Sequence, residues 1–180
     1  MAKSGEVLEN PVTGQRIVFK QTSADTGGTL LEVESTYTKP TPSRPPVHYH
    51  PAQEETFEVL SGKLSVIIDG ERKTLGEDET LVIPRGTRHT MWAENAGVRV
   101  NWQTRPALKT EAFFETIYSL ARDGKTNSKG APNLLQYAVI ARSYAGEFRL
   151  ASPPWPVQQL LFAILAPIGK LLGHRPTYPN

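Results

Sequence analysis

Between residues 57 and 102 the chain returns again and again to one pattern. Phe57–Leu60, Leu64–Ile68, Thr80–Ile83 and Val98–Trp102 are short apolar runs, and glycines at 62, 70, 76, 86 and 97 punctuate them. Runs of this length are too short for stable helices and suit strands closed by turns. Two earlier runs, Gln15–Lys20 and Leu30–Thr36, fit the same reading. Asp69-Gly70 between two apolar runs is a hairpin signal, because both residues tolerate the positive φ that a tight hairpin turn demands. The pattern predicts an all-β sandwich or barrel.

Near Arg105 the chain changes character. Residues 1–105 carry 12 Lys/Arg against 14 Asp/Glu, whereas residues 106–180 carry 8 against 4. The apolar period changes with the charge. Glu111–Arg122 places Phe113, Phe114, Ile117, Tyr118 and Ala121 on one helical stripe, with Thr110 as N-cap and Asp123-Gly124 as stop. Asn133–Ser143 follows Pro132 as a second helix. Pro153, Pro154 and Pro156 read as a stiff linker into a third helix, Val157–Leu172, and His174–Asn180 as an irregular tail with His174 exposed. The expected organisation is a β domain over residues 1–105 and a helical extension over residues 106–180.

Composition excludes several classes. The chain has no cysteine, which removes disulfide scaffolds, Cys-ligated zinc, iron–sulfur clusters and thiol nucleophiles. A net charge of +2 and the lack of a basic run interleaved with aromatics argue against nucleic acid as a partner. Residues 1–10 lack the apolar stretch of a secretory signal, and Leu160–Gly169 falls short of a membrane span. A cytoplasmic location is the default expectation. No phosphate-binding loop or nucleophile elbow is present.

Chemistry concentrates in the histidines. There are four, at 48, 50, 89 and 174. On a strand, His48 and His50 share a face, with their side chains about 7 Å apart along the strand. That spacing suits two ligands on one ion. A carboxylate from the next strand, Glu55 or Glu54, and a third imidazole, His89, would complete a set of three nitrogens and one oxygen. Such a set suits iron, manganese, nickel, cobalt, copper or zinc as a single divalent ion and disfavours calcium.

Two segments carry a family resemblance. His48, His50, Glu55 and Gly62 match the pattern H-x-H-x4-E-x6-G, and Pro84, Gly86 and His89 match P-x-G-x2-H. These resemble the two motifs of the cupin superfamily. The opening glycines of both motifs are replaced, by Pro42 and Asp78, and the closing Asn of the second by Ala93. The resemblance spans roughly residues 18–105, and the helical tail is similar to that of small bacterial cupins. It implies a jelly-roll barrel, here followed by about three helices. It also implies His48, His50, Glu55 and His89 as metal ligands. Spacing to Gly62 and strand parity both prefer Glu55 to Glu54.

The activity expected is that of a metal-dependent oxygenase or isomerase on a small organic molecule, with Glu55 doubling as a base. The alternative is a non-catalytic module that binds or senses a small ligand. Leu64, Val66, Ile68, Met91, Val98, Val100 and Trp102 are expected as barrel core. Arg44, Arg88, Arg99 and Arg105 are expected at the surface. The third helix is apolar nearly all round, more than one barrel face can cover. A homodimer, perhaps with an exchanged C-terminal segment, is the expectation. A membrane-surface helix with Lys170 and Arg175 at the headgroups is the rival, which Gln158 and Gln159 serve poorly.

Overall fold

The computed structural model describes residues 2–178. The chain builds two antiparallel sheets that face each other, and three helices follow. The strands are β1 (Val7–Asn10), β2 (Gln15–Gln21), β3 (Leu31–Tyr37), β4 (His48–Tyr49), β5 (Glu54–Ser61), β6 (Leu64–Ile68), β7 (Glu71–Leu75), β8 (Thr80–Ile83), β9 (His89–Ala93) and β10 (Val98–Arg105). The helices are α1 (Thr110–Arg122), α2 (Leu134–Ser143) and α3 (Trp155–Leu171), with a short β11 (Arg149–Leu150) before the last. One sheet runs β1-β2-β3-β10-β5-β8, the other β11-β4-β9-β6-β7. This is the jelly-roll arrangement expected from the strand pattern.

Alternation decides what the sheets enclose. Leu31, Val33, Ser35 and Tyr37 of β3 are buried, and so are Glu55, Phe57 and Val59 of β5, while Glu54 and Glu58 face outward and are exposed. Phe57, Val59, Leu64, Val66, Ile83, Val98 and Val100 form the packed end of the barrel. The Asp69-Gly70 hairpin forms as predicted. Both residues have positive φ, and Ile68 pairs with Glu71 across the two-residue turn. Sequence reading did not mark β1, β7, β9 and β11 as strands. β7 is Glu-Arg-Lys-Thr-Leu, an edge strand with little apolar signal.

The stripe of α1 packs on the barrel. Phe114 and Tyr118 lie against Leu8, Ile17, Phe19, Leu31 and Val33. Thr110 is not the N-cap. Lys109 occupies that position without a side-chain cap, because the Thr110 hydroxyl, already inside the helix, accepts a hydrogen bond from Gln53 Nε2 instead. In α2, Asn133 is the cap rather than the first helical residue, its side chain accepting from Gln136 N–H. His174 is half-buried rather than exposed, its Nδ1 lying 3.0 Å from Gln136 Oε1.

α2 and α3 pack as a pair through Ala138, Val139, Ala141, Phe162 and Ala166. Their closeness depends on Gly169. A Cβ there would stand 2.8 Å from Val139 Cγ2 and 2.9 Å from the Leu135 carbonyl oxygen. The second neighbour is backbone and cannot swing aside. Gly169→Ala is therefore expected to destabilise the protein by about 1–2 kcal/mol, the clash outweighing the roughly 1 kcal/mol gain in helix propensity. Thermal unfolding checks it; a raised midpoint would mean that the helices separate easily.

Candidate metal centre and cavity

Strand pairing brings the predicted residues together. His48 on β4 pairs directly with His89 at the start of β9. His50 follows β4 by one residue. Glu55 comes from the opposite sheet, on β5, where it pairs with Thr104 and Ile83. The centre thus spans the two sheets, and neither sheet contains it alone.

One ligand-capable nitrogen of each of the three histidines lies within 4.8 Å of the others, a group able to hold a metal ion. Glu55 Oε2 is 3.1 Å from His50 Nε2 and 3.0 Å from His89 Nε2. Glu55 and His89 are fully buried. Glu54 is exposed on the outer face of β5 and stands apart from the cluster.

The ring orientation of each histidine is fixed from behind. His48 Nδ1 lies 3.0 Å from the Pro46 carbonyl, His89 Nδ1 lies 3.0 Å from the Thr87 carbonyl, and His50 Nδ1 meets the Glu147 carbonyl. A carbonyl only accepts, so each Nδ1 carries a proton and each ring turns its Nε2 inward. His50 Nε2, His89 Nε2 and Glu55 Oε2 are buried, and none makes a well-directed hydrogen bond with a described residue. Three such ligand atoms in one place suit a cation. This is the environment in which a metal-binding histidine is held by a second partner.

Electrostatics agree. Burial, with His89 and His50 as neighbours, pushes His48 down to about 3. Burial also opposes charge on His50, but the Glu55 carboxylate outweighs it and raises that imidazole above its ordinary value. Burial alone would raise Glu55. The attraction of His50 and the hydrogen-bonding geometry of His50 and His89 outweigh it and hold the carboxyl well below the usual range.

Two contributors escaped sequence reading. Trp102, expected as barrel core, has its Nε1 donating to Glu55 Oε1 at 3.0 Å and so orients the carboxylate. Strand parity placed Trp102 inward, but nothing in sequence gave it a partner. The second is Glu147-Phe148, far along the chain. β11 joins the β4 edge of the five-stranded sheet. Just before it, Phe148 stacks on His48 at 4.7 Å and on Phe113 at 5.4 Å.

The centre opens into a cavity of about 180 Å³. Its walls are largely apolar: Met91, Trp102, Phe113, Phe114 and Phe148. Gln53 adds polarity. Its Nε2 donates to the Pro106 and Ala107 carbonyls and to Thr110, which fixes the amide and leaves Oε1 without a partner among the described residues.

The jelly-roll barrel thus encloses a three-histidine cluster that could hold a metal ion, beside a fully buried carboxylate. Residues 37–102 match the family model of the cupin domain. A relative in Arthrobotrys oligospora, described as an oxidoreductase, is 34% identical over 153 residues, covering 76% of this chain and 59% of its own length. The probable oxidoreductase yanE of Aspergillus niger is 32% identical over 159 residues, covering 78% of this chain and 60% of its own. This chain therefore spans about three-fifths of the length of these relatives. The structure is also similar to an RmlC-like cupin from Shewanella frigidimarina, with a TM-score of 0.50 and 19% identity, over 62% of this chain and 92% of that one. The chain therefore contains a cupin domain. Among the described residues, no helix is long and apolar enough to cross a membrane.

Proposed function

We propose that this protein is a metal-dependent oxidoreductase that acts on a small, largely apolar organic molecule. The observation that carries the reading is the convergence of three buried ligand atoms, His50 Nε2, His89 Nε2 and Glu55 Oε2, none with a well-directed hydrogen bond among the described residues. His48, His50, Glu55 and His89 would hold one divalent transition-metal ion. When bound, that ion supplies Lewis acidity and, if redox-active, electron transfer. The relatives described as oxidoreductases support the redox form over an isomerase.

The chain's own residues do the rest. Phe113, Phe148 and Trp102 receive a flat apolar body and exclude water from the centre. The cavity compares with the roughly 150 Å³ apolar cavity that accepts benzene, so a ring with small substituents fits. Gln53 Oε1 would accept a hydrogen bond from a substrate hydroxyl or amine. Trp102 fixes Glu55 Oε1 and leaves Oε2 for the ion. A carboxylate displaced by an incoming substrate would take up a proton in the same pocket. We read residues 1–105 as the catalytic barrel and residues 106–180 as the extension that closes it, through Phe148 and the Glu147 carbonyl.

The test is elemental analysis of the purified protein before and after loading with iron, manganese, nickel, cobalt, copper and zinc in turn. One equivalent of at least one metal is expected in wild type, and far less in His89→Ala. Wild type without stoichiometric metal under every loading condition would sink the reading. Oxygen consumption with phenols and diketones then separates an oxygenase from a ligand-binding module.

A further inference from the structure

We infer that the outer face of α3 pairs with the same helix of a second copy of this chain. Val157, Leu161, Ile164, Ile168 and Leu171 follow one another at intervals of four, three, four and three residues. That alternation is the seam of two helices packed along their length. All five are exposed, from 43% to 87%. They cannot turn inward, because the opposite face is already committed. Phe162, Ala166 and Gly169 of α3 lie buried against α2, with Gly169 packed closely on Val139 and Leu135.

The face has the size and the chemistry of an interface. With Leu160 and Leu172 on its flanks, seven large apolar side chains stand exposed together, a patch of the several-hundred Å² size that marks an interaction site. Lys170 is the one charged residue in α3. A helix lying on a lipid surface needs a basic flank. Here Gln158 is buried, its amide donating to the Leu150 and Pro153 carbonyls, and Lys170 stands alone. An uncharged, evenly spaced apolar seam matches its own copy better than it matches headgroups.

Ile164 is the midpoint, seven residues from each end of the seam. A two-fold axis through the centre brings it against its own copy whether the helices run parallel or antiparallel. The helix stays on its own α2, so pairing requires no exchange of the C-terminal segment.

The absence of cysteine makes the test direct. Wild type should sediment as a dimer across the micromolar range. The double variant Leu161→Glu/Ile164→Glu should weaken association at least about a hundredfold with an unchanged circular dichroism spectrum. Ile164→Cys should form a disulfide-linked dimer on mild oxidation, and Lys170→Cys, off the seam, should not. That pair keeps the test open if the charged variant misfolds. Wild type that sediments as a monomer throughout, or Cys at 164 crosslinking no faster than Cys at 170, would overturn the proposal. So would a monomer that pellets with phosphatidylglycerol vesicles through the same face.

Discussion

Glu55→Gln is expected to abolish tight metal binding while leaving the metal-free fold as stable as wild type or more so at pH 8. The substitution keeps the side chain's shape. Its carbonyl oxygen still accepts from Trp102 Nε1, which now meets Glu55 Oε1 at 3.0 Å. Its amide presents two N–H donors where Glu55 Oε2 stands 3.1 Å from His50 Nε2 and 3.0 Å from His89 Nε2. The inward nitrogens then meet protein donors, so a polar cluster without well-directed partners becomes a closed network. An ion entering the variant must break those hydrogen bonds and gains no anionic ligand. Affinity should fall at least about a hundredfold, the upper end of what losing a mere supporting partner costs. Chelator competition with nickel or zinc measures the affinity, and denaturant unfolding of the metal-free proteins measures stability. Unchanged affinity would remove Glu55 from the ligand set.

The metal-free protein should also lose stability steeply on acidification below about pH 6.5. His48 is the cause. In the fold its imidazole is pushed down to about 3, and in the unfolded chain it titrates near 6.5. Between these values the unfolded chain binds the proton and the fold does not. Each pH unit lost in that window therefore costs at most about 1.4 kcal/mol. Glu55 adds to the loss below its ordinary value, because its carboxyl is held low in the fold. His50 has the opposite sign. Its value is raised, so its stabilisation is complete below about pH 6.5 and fades as pH rises through the raised value. Denaturant unfolding in chelator from pH 4.5 to 7 checks the prediction. His48→Leu should flatten the acid limb, and parallel limbs in the two proteins would show that His48 is not held neutral.

A bound cation would oppose protonation of His48, His50 and Glu55, so loading and acid resistance would be coupled. A loaded protein should resist acid further than the metal-free one, and both should converge once the ion is driven off.

Much of the centre was legible before the structure. His48 and His50 two apart, a carboxylate five residues on, and His89 after a Pro-x-Gly turn are local signals, and strand parity separated Glu55 from Glu54. The backing carbonyls of Pro46 and Thr87 are local too, each two residues before its histidine. What sequence could not reach lies at long separation. Trp102 meets Glu55 only because β10 and β5 pair, and Glu147 backs His50 only because the chain returns after two helices.

The same division holds for the helices. Periodicity foretold α1 and α2 to within a residue or two, because a buried stripe must repeat with the turn of the helix. It foretold α3 as well, but an all-apolar helix has no visible inside. Only packing decides which face is spent. Gly169 and Phe162 settle on α2, and the other face is left outward. The amino-acid order by itself determined the barrel, its turns and the inward placement of the histidines and Glu55, since those follow from local period and turn chemistry. The tertiary structure alone decided the cavity's aromatic wall, the anchoring of Glu55 and the free seam of α3, since each depends on contacts between segments that no local rule connects.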